Sequence, residues 1–194
     1  MPEMTKKITH IVTYTGKVFE FLNPKPEMVC IEDIAHALAN VCRYTGHAKQ
    51  FYSVAQHCVL MANADLPGDP LARLLHDSAE AYIGDLTSPW KGLLRVTIPE
   101  SKLINAYYEP VRAFEQRLEA VIGMALGVDL SPNKEIKLAD TRMFWTEVRD
   151  LMPKMPDDFE WGPPRKNPLA AKIIPWCPRH SEIVFLGTYY RIID

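Results

Sequence analysis

Apolar side chains along most of the chain recur every three or four residues, which is the spacing of an amphipathic helix. The exception is residues 8–22, where apolar positions flank a short polar turn and predict a β-hairpin. A first helix is predicted over residues 31–44, and a second over residues 53–65 with Ser53 as its N-cap. His57 shares the apolar face of the second helix, so its imidazole is expected to point inward.

The rest of the chain shows the same periodicity, interrupted by proline and glycine. Asp69 and Pro70 are typical of a helix start, which predicts a helix over residues 70–83 that ends at Gly84. Further predictions are a long helix at residues 99–126 bent or split at Pro110, a helix at residues 131–152, a surface loop or lid at residues 152–168, and a C-terminal helix from Pro178.

These elements indicate one all-α domain with a small N-terminal β-hairpin. Residues 1–28 would form the hairpin extension, residues 29–152 the helical core with the candidate catalytic residues, and residues 153–194 the loop and the C-terminal helix. A chain of 194 residues that is 47% hydrophobic and 24% charged can bury one substantial core.

Charge and leader signals narrow the classes of function. A net charge of −2 disfavours a surface that coats nucleic acid. The chain starts with no basic leader and contains no apolar run long enough to span a bilayer, so we expect a cytoplasmic protein. Its four cysteines lack metal-type spacing and are expected to be reduced thiols.

Two histidines and two aspartates on three predicted helices are candidate metal ligands. They are His57, His76, Asp77 and Asp140. The adjacent pair His76–Asp77 can reach one ion from the inner face of a helix. Each residue alone is more simply a core histidine or a surface side chain. Burying the whole set without compensation is costly, so together they favour a buried divalent ion.

Imidazole and carboxylate ligands suit a borderline to hard ion, which leaves cobalt, manganese, zinc, magnesium, iron and nickel open. Such a set leaves positions for water and a phosphate oxygen, and the lack of cysteine disfavours structural zinc. Glu80, one turn beyond His76, and Asp85, after the helix end, are candidate acid–base residues. The alternative is that Glu80 is a solvated helix residue and Asp85 a turn residue.

Five short motifs surround these residues. They are Arg43-Tyr44-Thr45-Gly46-His47, Tyr52-Ser53-Val54-Ala55-Gln56-His57, His76-Asp77-Ser78-Ala79-Glu80, Gly84-Asp85-Leu86-Thr87-Ser88-Pro89-Trp90-Lys91 and Lys137-Leu138-Ala139-Asp140. Jointly they resemble the HD-domain phosphohydrolases, above all the small bacterial and phage 5′-deoxynucleotidases and the HD-type relatives that hydrolyse deoxynucleoside triphosphates. The resemblance covers about residues 29–150, with a weaker echo at residues 174–178, and implies an HD-type helical bundle.

The resemblance also implies a role for each matched residue. It matches His57, His76, Asp77 and Asp140 to the metal ligands, Glu80 and Asp85 to the acidic residues that handle water and leaving group, and Arg43, Tyr44, His47, Lys91 and Lys137 to the substrate-binding set. Tyr44 stands where the family often has a tryptophan that packs against deoxyribose, so an aromatic wall is retained. Residues 85–89 depart from the frequent Asp-Leu-Pro-Thr-Pro near the phosphate path.

The expected activity is hydrolysis of a deoxynucleoside monophosphate to the deoxynucleoside and phosphate, with one divalent ion. One alternative is a deoxynucleoside triphosphohydrolase, releasing triphosphate from dATP for example, that controls a phage nucleotide pool in the host cytoplasm. Another is a non-catalytic protein that binds nucleotide or metal. The expected partner is a small-molecule deoxynucleotide, without nucleic acid or membrane. Similar proteins are commonly homodimers or larger homo-oligomers, so we expect self-association.

Overall fold

The computed structural model describes residues 8–98, 107–154, 156 and 162–194, and most of this part of the chain is helical. The α-helices are α1 (Ile31–Asn40), α2 (Val54–Asn63), α3 (Pro70–Leu75), α4 (Glu80–Ile83), α5 (Ser88–Leu93), α6 (Val111–Leu126), α7 (Lys134–Leu151) and α8 (Pro178–Ile193). The strands are β1 (His10–Val12), β2 (Val18–Glu20), β3 (Arg95–Ile98) and β4 (Tyr107–Pro110). The predicted mainly helical class is therefore confirmed.

The N-terminal hairpin forms as predicted and is anchored on the first helix. Strands β1 and β2 pair antiparallel with Ile11 opposite Phe19, and the Phe19 side chain is fully buried. Asp33 on α1 accepts hydrogen bonds from the Thr13 hydroxyl (2.8 Å) and from the Thr15 backbone N–H (2.6 Å). A buried carboxylate requires such donors, so these bonds determine where the hairpin turn lies on the helix.

Two apolar clusters lie on either side of α2. The main cluster joins α1, α2 and α8, and its fully buried members include Ile34, Leu38, Val54, Leu74, Leu118 and Phe185. The second cluster joins α2 to α7 and includes Tyr52, Met61 and Met143. Because both faces of α2 meet apolar neighbours, most of its residues are buried, including the polar His57.

The helix predicted over residues 99–126 is wrong in its first half. Residues 107–110 form β4, which pairs antiparallel with β3, whereas residues 99–106 lie outside the described residues. Helix α6 begins at Val111, directly after Pro110, because proline cannot donate a hydrogen bond inside a helix. The β-branched residues of β3 were the local signal for a second hairpin.

The helix predicted over residues 70–83 is interrupted where candidate ligands lie. Residues 76–79 form turns between α3 and α4. Gly84 ends α4 as predicted, with a left-handed φ of 78°. The interruption places His76 and Asp77 in a turn rather than on the face of a regular helix, which sequence periodicity did not indicate.

Other helix boundaries differ by a few residues. Helix α1 ends at Asn40, because residues 43–46 form a separate 3₁₀ turn. Asn133, rather than Ser131, caps α7. The prediction of Ser53 as the N-cap of α2 is confirmed by its side-chain hydrogen bond to the first turn (3.1 Å).

The C-terminal part follows the prediction. The described residues between 152 and 168 contain no helix or strand, and α8 begins at Pro178. Arg149 on α7 donates to the backbone carbonyls of Leu169 (2.6 Å) and Ala171 (2.8 Å), which ties the following segment to this helix. Within the described ranges, every helix is too short or too polar to cross a membrane.

Candidate metal centre

The four predicted ligands converge on one point, although they come from separate parts of the fold. His57 lies on α2, His76 and Asp77 lie in the turn after α3, and Asp140 lies on α7. The Nε2 atoms of His57 and His76 are 3.3 Å apart. His57 Nε2 is 3.7 Å from a carboxylate oxygen of both Asp77 and Asp140, and His76 Nε2 is 3.2 Å from Asp77 Oδ2. These groups could bind a metal ion.

The outer nitrogens of both imidazoles have acceptors as partners. His57 Nδ1 is 2.6 Å from Glu147 Oε1, and His76 Nδ1 is 2.9 Å from the Arg73 carbonyl oxygen. Carboxylate and carbonyl oxygens only accept, so each neutral ring carries its hydrogen on Nδ1. Both Nε2 lone pairs then face each other and two carboxylates. Such an arrangement is repulsive unless a cation lies between them, so the donor set fits a divalent metal.

Charge at His76 supports the same conclusion. Burial lowers the pKa of His76, but the adjacent Asp77 carboxylate outweighs this effect and holds the pKa well above its ordinary value. Burial likewise opposes ionisation of Asp77, yet His76, His57 and Arg43 lower its pKa well below the usual range. The cluster therefore attracts positive charge, and a proton competes with a metal for His76.

Cys58 also lies next to this cluster, which the sequence did not indicate. Its sulfur forms a second possible ligand group with His76 and Asp77. Burial raises the pKa of the Cys58 thiol, so the neutral thiol is favoured over the thiolate that binds metals. All four cysteines are free thiols, in agreement with the prediction. The group of His57, His76 and Asp140 therefore has the better chemistry for an ion.

Glu147 is the main residue that sequence reasoning left without a role. It is fully buried on α7, and besides His57 it receives the Tyr44 hydroxyl and Arg43 Nη2 (3.4 Å). Burial opposes its charge, but Arg43 and His57 lower the pKa of Glu147 to about 2. The available signal was its position two turns after Asp140, on the same face of the helix.

Arg43 and Tyr44 reach the centre from the 3₁₀ turn after α1. Arg43 Nη1 is 3.2 Å from Asp77 Oδ2, and the Tyr44 backbone N–H donates to Asp85 Oδ2 at 3.2 Å. Tyr44 and Thr45 both adopt left-handed φ values, 57° and 53°. Non-glycine residues seldom adopt this conformation, and it persists only where neighbouring contacts enforce it.

His47, the remaining member of that motif, is exposed to solvent at the end of the turn. Its backbone N–H donates to the Tyr44 carbonyl oxygen at 3.0 Å. Within the part of the chain that the structure describes, its side chain makes no hydrogen bond or ion pair with the metal cluster. The turn therefore brings Arg43 and Tyr44 to the site and leaves His47 outside it.

Glu80 lies beside the cluster with one carboxylate oxygen in use. Glu80 Oε1 is 3.3 Å from Lys91 Nζ, whereas Oε2 is buried and has no hydrogen-bond partner among the described residues. Burial, together with Asp77 and Asp85, raises the pKa of Glu80 well above its ordinary value. Burial also raises the pKa of Asp85, although Arg43 counteracts the shift. Both carboxyls are therefore poised to exchange protons nearer neutral pH.

The two candidate lysines differ in freedom. Lys91 is held between two buried carboxylates, Glu80 and Glu115, the latter at 2.8 Å. Lys137 is exposed and contacts Asp140 Oδ2 at 2.8 Å. Sequence analysis did not single out Glu115, because nothing local indicates that α6 faces α5 at this position.

An open cavity of about 330 Å³ adjoins the cluster. It is lined by His76, Asp77, Glu119, Lys137, Asp140 and residues 129–133. Burial, followed by the charges of Asp77 and Glu115, raises the pKa of Glu119 to about 7. The cavity thus presents the candidate ligands to solvent on one side, with room for a small molecule.

The fold and the centre together define a mainly helical protein with a buried histidine–aspartate group that could hold a metal ion. No protein-family model matches the chain. It is 33% identical to the uncharacterized protein YfdR of Escherichia coli over 185 residues, which is 94% of each chain. It is also 33% identical to the uncharacterized protein RCAP_rcc00048 of Rhodobacter capsulatus over 140 residues, 66% of this chain and 65% of the other. The chain therefore belongs to the YfdR family.

Proposed function

We propose that this protein is a metal-dependent HD-type phosphohydrolase of 5′-deoxynucleotides. The favoured reaction converts a deoxynucleoside monophosphate and water to a deoxynucleoside and phosphate. The observation that carries the proposal is the pair of Nε2 lone pairs 3.3 Å apart, faced by two carboxylates and adjoined by a cavity. The motif resemblance to HD-domain phosphohydrolases supplies the substrate class.

His57, His76, Asp77 and Asp140 would hold the ion. When bound, a divalent ion lowers the pKa of a coordinated water and offsets charge on the phosphoryl group. Its identity stays open among cobalt, manganese, zinc, magnesium, iron and nickel, because imidazole and carboxylate ligands suit all of them.

Arg43 is the residue best placed to orient the phosphate. Its guanidinium contacts Asp77 Oδ2 and Glu147 Oε2, so its planar donors are held at the edge of the ligand cluster. Its buried Nε has no hydrogen-bond partner among the described residues. Guanidinium groups bind phosphate oxygens in two-point fashion, which suits this position. Lys137 adds a mobile positive charge at the open side.

Glu80 and Asp85 supply the proton transfers. Glu80 accepts a proton from the attacking water through its unpartnered Oε2, as the water oxygen forms a bond to phosphorus. The bond between phosphorus and the 5′-oxygen then breaks, and Asp85 gives that oxygen a proton. The raised pKa of both carboxyls allows one to act as base and the other as acid.

The test is a product profile. The protein would be stripped with a chelator, reloaded with manganese or cobalt, and incubated with each of the four deoxynucleotides carrying one or three phosphates. We expect free phosphate from the monophosphates and little product from ribonucleotides. Triphosphate released from dATP would instead establish the triphosphohydrolase alternative. A bound metal without turnover of any nucleotide would establish a non-catalytic protein and refute the proposal.

A further inference from the structure

We propose that Glu147 is a positioning residue that holds a metal ligand and the phosphate-binding turn in one arrangement. Its two carboxylate oxygens face different parts of the site. Oε1 meets the imidazole of His57, and Oε2 meets the side chains of Arg43 and Tyr44. The half of this inference that concerns phosphate rests on the proposed function, whereas the half that concerns metal does not.

On the metal side, Glu147 determines which nitrogen of His57 is available. Its Oε1 lies 2.6 Å from Nδ1 and can only accept, so the ring hydrogen stays on Nδ1. The lone pair of Nε2 then points at His76 and Asp140. Carboxylates in this position orient the ring and increase its basicity, and their loss typically weakens metal binding about 10–100-fold.

On the phosphate side, Glu147 holds a turn that would not keep its shape by itself. Tyr44 has a left-handed backbone, with its hydroxyl bound by Glu147 and its backbone N–H bound by Asp85. These two anchors enforce the strained conformation from opposite ends of the residue. The same carboxylate contacts the guanidinium of Arg43, so it determines where those donors lie.

No alternative partner is at hand to replace this carboxylate. Glu147 and His57 are both completely shielded from solvent, so water cannot reach the hydrogen bonds that Glu147 makes. A substitution that removes the charge leaves Arg43, Tyr44 and His57 to rearrange together. One side chain therefore controls two binding events that take place on different elements of the fold.

The experiment compares Glu147→Gln with two matched variants. Manganese affinity would be measured by calorimetric titration without nucleotide, and affinity for inorganic phosphate by titration at saturating manganese. We expect Glu147→Gln to weaken manganese binding about 10–100-fold and also to weaken phosphate binding. Tyr44→Phe should weaken phosphate binding alone. Thr146→Ala, at the adjacent buried position on α7, should lower Tm and leave both affinities near those of the wild type.

Manganese affinity that is unchanged in Glu147→Gln, or reduced only as much as in Thr146→Ala, would overturn the inference. The tautomer of His57 tests it without a variant, because nitrogen NMR of the wild type should show the hydrogen on Nδ1. A hydrogen on Nε2 would contradict the metal half even if Glu147→Gln failed to fold. If the wild type turned over no nucleotide while Glu147→Gln still weakened manganese binding, the proposed function would fail and the metal half would stand.

Discussion

The two sides of the candidate centre are built differently. On the closed side, the side chains of His57 and Glu147 are both 0% exposed and face each other between α2 and α7. On the open side, Asp140 is 22% exposed and Lys137 is 71% exposed at the mouth of the cavity. The closed side therefore determines ligand geometry, whereas the open side admits solvent and substrate.

The difference in exposure teaches where electrostatic interactions are strong. Charged groups on the closed side interact across a medium of low polarity, so each hydrogen bond has large consequences. Ion pairs on the open side are screened by water and salt, and an exposed pair contributes little, typically about 0.2–1 kcal/mol. Substitutions should therefore have effects that decrease from the ligand cluster outward.

The largest effect is expected from His76→Ala or Asp77→Ala. Each change removes a ligand at the centre of the cluster, so the protein should lose metal retention and turnover. Bound metal stabilises a protein by about 2.7 kcal/mol at a concentration of 100 times Kd, so manganese should raise the Tm of the wild type and not that of either variant. His36→Ala is the matched control, because His36 pairs with Glu182 away from the centre.

Metal analysis together with a phosphatase assay checks this prediction. Near-normal activity with metal still bound in either variant would show that the ligand assignment is wrong. Retained metal without activity would instead place the altered residue in catalysis rather than in metal binding.

A smaller effect is expected from Glu80→Gln, which should retain metal and lose turnover by about 10²–10⁴-fold. In the wild type, the base must be deprotonated, so kcat should fall as pH decreases through the raised pKa of Glu80. This acidic limb should be absent in Glu80→Gln. Glu115→Gln, which removes the second carboxylate around Lys91, should keep the limb. An unchanged pH profile in Glu80→Gln would exclude Glu80 as the base.

The sequence was sufficient for features that depend on local periodicity. The inward position of His57 followed from the apolar face of its helix, and Ser53 from the preference for hydroxyl residues at an N-cap. The N-terminal hairpin and α8 also follow from local patterns. The convergence of His57 with His76 was expected only because burying such residues separately would be costly.

The remaining features depend on contacts between distant parts of the chain. Glu147 binds His57 across 90 positions, and Tyr44 across 103, so no local pattern reveals its role. The left-handed backbone at Tyr44 and Thr45 is enforced by those tertiary contacts and contradicts local preference. The second hairpin was missed because helical periodicity continued from α6 into residues 107–110.

The smallest effect is expected from Lys137→Ala on the open side. The side chain is 71% exposed, so its attraction for phosphate is screened, and KM should rise only a few-fold at low salt. That difference from the wild type should disappear as ionic strength increases, while kcat and manganese affinity stay close to normal. Steady-state kinetics at several salt concentrations measures both quantities. A loss of 100-fold or more that persisted at high salt would mean that Lys137 is held rigidly on the substrate, and the open side would then determine geometry as the closed side does.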